Sequence, residues 1–374
     1  MKDSTSLLVA CVACLLVASC AARGPQASAR APAATAAPTA FVQDSSNGHE
    51  PCLWPTIFVI GCGRCGSTSL YTMLSEHHDM LQTQLVGNDT EWVRKELEFW
   101  GGATFKHGLG YYFDHFPVPR DRLADALSGQ LRAMDSSPSY SSLSVVPSRI
   151  KAAYPANVVA QMRMLLILRN PADRFMSYFC RAQSGSPSWA LFANAVRKLG
   201  LPAATSSMGE VVRRASEHVS ACLQKTSAHE ERAWCAWQGS PLFDVLHNGL
   251  YLQQLRHWLA SFPPSQFFVT TTMDLEAHAR PVMQSAFDFA GMATGDPEHV
   301  LSWENGTHGA THANGDANKC GRASLPAAAV AQLDDFYAPH NAALAKWLHV
   351  HQGSLGSVRD EAIVDIESWS QRVS

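Results

Sequence analysis

The sequence predicts a single α/β domain with a mainly parallel central sheet flanked by helices on both faces. Three observations carry this. First, Thr56–Ile60, Met164–Leu168 and Phe267–Thr271 are short continuous apolar runs, the signature of strands buried on both faces. Second, stretches of helical period lie between them, and strands alternating with helices imply parallel pairing through crossovers. Third, the first run passes straight into a glycine-rich turn and then a helix.

Taken in order, TIFVI at 56–60 is the first strand. The turn Gly61–Gly66 follows, and Ser67–Leu74 has helical periodicity. MLLIL at 164–168 is the second strand, ended by Arg169-Asn170-Pro171, with a helix expected over 172–182. An amphipathic helix carrying Leu246, Leu250, Leu255, Trp258 and Leu259 stops at Pro263-Pro264, ahead of the third strand, FFVTT. The last helix is expected over 327–337, broken before Pro339 and resuming to about His349. Residues 182–242 are helical or irregular and are expected as an insertion. The domain is therefore placed at 51–350, with a C-terminal tail over 351–374.

Composition sets outer limits. Of 374 residues, 46% are apolar and 16% charged, which excludes a disordered, collagen-like or coiled-coil chain. The formal net charge of −3, from 29 basic and 32 acidic residues, argues against a nucleic-acid partner and leaves room for a locally basic site.

The N-terminus is a targeting segment. Ser6–Ala22 carries no charge and sits between Lys2 and Arg23, close to the lower length limit for a membrane span. It reads as a cleaved signal peptide, as a signal anchor of a single-pass Golgi-type membrane protein, or, through Val17-Ala18-Ser19-Cys20, as a lipoprotein box. Each reading directs the chain to a membrane or secretory route, here expected as the Golgi lumen. Residues 23–50 are a low-complexity stem. Asn88-Asp89-Thr90 and Asn305-Gly306-Thr307 are glycosylation sequons that matter in that compartment.

Of the 10 cysteines, Cys11, Cys14 and Cys20 lie in the targeting segment. Cys222 and Cys235 are the disulfide candidates. Cys62 and Cys65 have the spacing of a redox motif, yet they stand in a loop better explained by anion binding. His308 and His312 read as a loop, and no metal site is expected.

The chemistry lies in three segments. In Gly61-Cys62-Gly63-Arg64-Cys65-Gly66-Ser67-Thr68, a strand feeds a glycine loop and a helix N-terminus, which makes a nest of backbone N–H groups for phosphate or sulfate. This is P-loop-like, but Ser67 stands where a nucleotide triphosphatase needs Lys, and the cation is Arg64 instead. In the second segment Arg169 ends a buried strand, where ligands sit in open α/β sheets. Ser177 is about two helical turns on. Around them, Arg149, Lys151, Arg163, Arg169, Arg174 and Arg181 face a single acid, Asp173.

With both segments in this order, the chain resembles the sulfotransferases that use 3′-phosphoadenosine 5′-phosphosulfate. By that resemblance Arg64, Cys65, Gly66, Ser67 and Thr68 hold the donor's 5′ end, and Arg169 and Ser177 its 3′-phosphate. The third segment, Arg94-Lys95-Glu96-Leu97-Glu98-Phe99-Trp100, resembles the Lys-Glu-x-x-Phe-Phe stretch of heparan-type glycan sulfotransferases, whose Glu is the base. Asp135-Ser136-Ser137-Pro138-Ser139-Tyr140 resembles a second segment of that subfamily, and Lys319-Cys320-Gly321-Arg322 its nucleotide-covering loop. The resemblance spans about residues 55–348 and implies a glycan acceptor.

It assigns Glu96 as base, with Glu98 as rival, and Arg64 as the cation that offsets charge on the leaving phosphate. Three departures are visible. Arg64 replaces the usual Lys, as in tyrosylprotein sulfotransferases, which keeps a protein-tyrosine acceptor open. Ser136 stands where glycan enzymes often have Lys, and Cys320 interrupts Lys-Gly-Arg. A P-loop small-molecule kinase and a non-catalytic lumenal binding protein are the readings from other classes.

Overall fold

The computed structural model describes residues 42–43, 51–183, 193, 196–202, 207–225, 246–292 and 326–371. Strands β1 (Val42–Gln43) and β2 (Cys52–Leu53) form a small antiparallel pair. The main sheet contains β3 (Ile57–Gly61), β4 (Met80–Leu81), β5 (Arg132–Asp135), β6 (Arg163–Leu168), β7 (Phe267–Thr271) and β8 (Ser357–Val358). Its order is β4-β5-β3-β6-β7-β8, and every pairing is parallel.

Strands β3 and β7 are buried along their whole length, and β6 is buried beyond Arg163. Helices on the sheet faces exclude water from both sides of a central parallel strand, which is why these strands read as unbroken apolar runs. From β3 the chain moves out to β4, returns to β5 beside β3, and then crosses to β6 on the other flank. The strand order thus reverses between β3 and β6, and the crevice beyond their C-terminal ends is where such sheets take ligands.

The helices in chain order are α1 (Ser67–Ser75), α2 (Gly108–Phe113), α3 (Leu123–Ser128), α4 (Val145–Ala153), α5 (Ala156–Val159), α6 (Pro171–Gln183) and α7 (Met208–Lys225), then α8 (Tyr251–Leu259), α9 (Thr272–Ala277), α10 (Ala279–Ala290), α11 (Ala327–His351) and α12 (Asp360–Ser368). Local chemistry starts the helices that matter. Pro171 opens α6, and the Asn170 side chain accepts the Ala172 N–H at 3.0 Å. Thr271, ending β7, caps α9 by accepting the Asp274 N–H at 3.1 Å. Phe175, Met176 and Phe179 of α6 meet Val211, Val212, Ala215 and Val219 of α7 and Leu333 and Tyr337 of α11 in an apolar cluster. The described helix of the 182–242 stretch therefore covers α6.

The structure departs from the sequence expectations in two places. Helix α11 runs unbroken through Pro339. Pro339 is exposed, so its ring stands clear of the core on the outer face of the helix. On either side the helix is anchored by Tyr337 Oη donating to Leu246 O at 2.8 Å and Asn341 Nδ2 donating to Trp369 O at 3.2 Å. The stretch expected as a tail from residue 351 instead supplies β8, paired with β7, and α12, which buries Ala362, Ile363 and Ile366.

Candidate active site

The loop Gly61–Gly66 leaves β3 at the reversal point. Its course is fixed by donors that hold its carbonyls. Arg174, 3% exposed, donates from Nε to Gly63 O at 2.9 Å, and Thr272 Oγ1 lies 2.7 Å from Cys65 O. Gly66 has φ 86, a left-handed turn that glycine adopts without the strain a side chain would bring. Helix α1 begins at Ser67, so the first-turn amides, those of Ser67 and Thr68 among them, have no acceptor within the helix. With the helix dipole, such amides favour a negatively charged group.

Arg64, in the middle of the loop, has φ 69 and turns its guanidinium to Ser177 on α6, with Nε at 3.2 Å and Nη2 at 2.9 Å from Oγ. Arg169 directly follows β6, and its Nη1 stands 3.5 Å from Arg64 O. Tyr251 Oη donates to Arg169 O at 2.7 Å and lies 3.6 Å from Cys62 Sγ and 3.8 Å from Cys65 Sγ. The structure thus gathers Arg64, Arg169 and Ser177. It also joins the two cysteines of the loop in a disulfide with Cα atoms 5.4 Å apart, which the anion-binding reading of the loop left unassigned.

The acidic side of the site lies beyond β5 and β3. A Cβ on Gly61 would fall 2.5 Å from Ser141 Oγ, and Tyr71 of α1 donates to Arg94 O at 3.1 Å. These contacts seat both the 94–100 and 135–141 segments beside the loop. Lys95 is ion-paired with Glu96. The Glu98 N–H donates to Ser137 Oγ at 2.9 Å, Ser137 donates to Asp135 Oδ1 at 2.7 Å, and Ser139 donates to Glu98 Oε2. Tyr112 and Tyr140 donate to Asp135 Oδ2 at 3.0 and 3.1 Å.

Burial, the largest influence on Glu98, pushes its carboxyl up to about 7, with Glu96 and Asp135 adding to the rise while the Ser139 bond and Lys95 oppose it. Burial likewise raises Asp135 to about 6 against its three hydroxyl donors. Ser136 Oγ is buried without a partner, so the residue standing in place of a Lys presents no cation here.

Lys319, Cys320, Gly321 and Arg322, Cys235, the Asn305 sequon and the His308–His312 pair lie outside the described residues. Asn88 is exposed in a turn. His77, His78 and Asp79, at the end of α1 remote from the loop, bring three ligand-type atoms within 4.8 Å, where Gln130 and His78 already reach Asp79 Oδ1 at 3.0 and 3.1 Å. Sequence reasoning missed Arg174, Thr272 and Tyr251 as supports of the loop. Arg174 could have been found, since it lies one turn from Ser177 on the same basic helix.

The sulfotransferase domain matches residues 55–318. The chain belongs to this family. Among curated sulfotransferase relatives, it is 24% identical over 305 residues to the bifunctional heparan sulfate N-deacetylase/N-sulfotransferase 1 of Homo sapiens, covering 79% of this chain and 30% of that protein. It is 23% identical over 305 residues to human bifunctional heparan sulfate N-deacetylase/N-sulfotransferase 3, with the same coverage. The chain thus spans 30% of the length of these relatives. A solved sulfotransferase from Alicyclobacillus acidocaldarius is 19% identical with a TM-score of 0.41, covering 79% of this chain and 96% of that one. Among the described residues no helix is long and apolar enough to cross a membrane, and Ser6–Ala22 lies outside them.

Proposed function

We propose that this chain moves a sulfuryl group from 3′-phosphoadenosine 5′-phosphosulfate to a hydroxyl of a glycan acceptor in the lumen of the secretory pathway, with its N-terminal segment as address or anchor. One observation carries the reading. Arg64 and Ser177, from motifs 113 residues apart, are hydrogen-bonded to each other beyond the C-terminal ends of the strands at the reversal of sheet order. The donor set fits a ligand with two anionic groups. First-turn amides and Arg64 suit one, and Arg169 and Ser177 the other.

The donor supplies an activated sulfuryl group on a phosphate leaving group. The chain's own part is to hold and neutralise. Amides at 66–68 fix the 5′ end, Arg64 offsets charge growing on the bridging oxygen, and Arg169 with Ser177 fixes the 3′-phosphate. Lys319, Cys320, Gly321 and Arg322 would close over the nucleotide. The acceptor sits on the acidic side, where the resemblance gives proton transfer to Glu96.

A second reading has specific support. The relatives are named N-sulfotransferases, so an amine nitrogen on the glycan is the alternative acceptor atom. The test offers labelled donor with a de-N-acetylated glycan, its N-acetylated form and a tyrosine-containing acidic peptide. Label on the N-acetylated glycan supports the hydroxyl reading, and label on the free-amine form alone supports the amine. Label on the peptide alone overturns the glycan reading.

A further inference from the structure

We propose that the Cys62–Cys65 disulfide is a positioning element of the donor site: it holds Arg64 in the turn from which Arg64 grips the donor, so the site is complete only in an oxidising compartment. This rests on the sulfotransferase reading above and deepens it.

The two cysteines close a ring whose inner residues are Gly63 and Arg64. Among the described residues, the non-glycine residues with positive φ are Arg64, at 69, and Glu98, at 51. Such a backbone is strained in a residue with a side chain and persists only where its surroundings impose it. At Glu98 the fold does so. Ser137 Oγ accepts its N–H at 2.9 Å, and a Cβ on Gly102 would lie 2.2 Å from Glu98 O. At Arg64 the strained turn is the one inside the ring. Cys62 N–H donates to Ile167 O at 2.9 Å, Arg174 Nε donates to Gly63 O at 2.9 Å, and Thr272 Oγ1 donates to Cys65 O at 2.7 Å. These bonds hold the residues that flank Arg64, and the disulfide links them across it. From that turn Arg64 reaches Ser177.

Opening the bond moves the loop rather than the core. A disulfide holds its sulfurs about 2 Å apart, whereas non-bonded heavy atoms settle at roughly 3.5–4 Å. Both cysteines are buried. Tyr251 Oη lies 3.6 and 3.8 Å from the two sulfurs and is itself bonded to Arg169 O at 2.7 Å. The room for two thiols therefore comes from the span Gly63–Arg64, where a Cβ on Gly63 would meet nothing within 4 Å. Gly61, Gly63 and Gly66 give the open loop many other conformations. The closed ring removes them before the donor arrives, which lowers the ordering cost of binding.

The redox step balances with a dithiol as reductant. One of its thiolates attacks a loop sulfur, the Cys62–Cys65 bond breaks, and a mixed disulfide forms. Its second thiolate then displaces that cysteine. Two electrons and two protons pass to Cys62 and Cys65, and the dithiol leaves as a cyclic disulfide. The ring persists in a secretory lumen and opens in a reducing cytosol.

The experiment measures the dissociation constant of 3′,5′-adenosine bisphosphate on the full chain by titration calorimetry. The protein is oxidised in air, reduced with dithiothreitol, or reoxidised with oxidised glutathione, and far-UV circular dichroism checks that each form is folded. Reduction should weaken binding at least 10-fold, and reoxidation should restore it. Cys62→Ala/Cys65→Ala should bind like reduced wild type with or without reductant, which separates this pair from the other cysteines. Arg64→Ala, weaker from the outset, should change less than twofold on reduction, because the ring then has no cation to place. A general loosening of the fold would weaken that variant again. Reduced wild type that binds within threefold of the oxidised form, or free thiols at Cys62 and Cys65 in the air-oxidised protein, overturns the proposal and leaves the donor site standing. A further 10-fold loss in reduced Arg64→Ala overturns the action through Arg64. Oxidised wild type that does not bind the bisphosphate overturns the sulfotransferase reading and this assignment with it.

Discussion

Arg64 Nη2 donates to Ser177 Oγ at 2.9 Å, tying the anion loop after β3 to the helix after β6. The bond brings the loop cation to the residues proposed to hold the second anionic group. Under the proposed function Arg64 would serve both ends of a bis-anionic ligand, and Ser177, which braces Arg64, would also contact that ligand. Hydrogen bonds to charged groups are worth about 1.5–3 kcal/mol. Ser177→Ala should weaken 3′,5′-adenosine bisphosphate binding about 10-fold, and Arg64→Ala about 10- to 100-fold. Titration calorimetry checks both. An unchanged dissociation constant in Arg64→Ala would remove it from the donor site.

The contribution of Glu98 and Asp135 to stability should fall as pH rises through the acid-to-neutral range, while buried His247, held down to about 4, acts in the opposite sense. Glu98 and Asp135 have folded-state values raised to about 7 and about 6 from ordinary carboxylate values of 4.5 and 3.8. The folded state therefore binds protons more tightly than the unfolded chain. Their contribution is fully present below pH ~4 and is lost as pH climbs through about 7. Glu98→Gln should flatten that decline in Tm measured from pH 4 to 8. A variant with the wild-type slope would show that Glu98 does not titrate in this window.

The Cys62–Cys65 disulfide, with a sequence separation of 3, closes a very short loop. Chain-entropy reasoning gives about 2 kcal/mol for so short a ring. Urea unfolding of the Cys62→Ala/Cys65→Ala variant should show a loss of that size relative to the oxidised protein and little difference from the reduced one. Equal stability of oxidised and variant protein would contradict the bond.

Pro339→Ala should stabilise. It restores a backbone N–H and removes the proline ring in the interior of a helix that is continuous on both sides. Proline in a helix interior costs about 3 kcal/mol relative to alanine, offset in part by the stiffness it lends the unfolded chain. A gain of about 1 kcal/mol or more in chemical denaturation is expected, and a loss would mean that α11 needs its proline.

Strands β3, β6 and β7 could be read from the sequence because full burial leaves a continuous apolar run. Edge strands β4 and β8 are two residues each and carry no period. Strand β5 reads Arg-Ala-Met-Asp, and its acid looks like a surface residue until Tyr112, Tyr140 and Ser137 are seen to bury it. That Arg64, Arg169 and Ser177 come together was legible because a glycine turn and a strand end at one edge of the sheet bring their neighbours to one place. The strained backbone of Glu98 was not, because Ser137 and Gly102 impose it through the fold rather than through sequence preference. Pro339 misled for the opposite reason, since a local breaker is overridden by anchors at Tyr337 and Asn341.

The most direct test of the central claim is a thermal shift of the protein with 3′,5′-adenosine bisphosphate against ADP with magnesium. A ligand that binds only the folded state at 100 times its dissociation constant adds about 2.7 kcal/mol. The account predicts stabilisation by the bisphosphate that is lost in Arg169→Ala. Stabilisation by ADP with magnesium alone would contradict it.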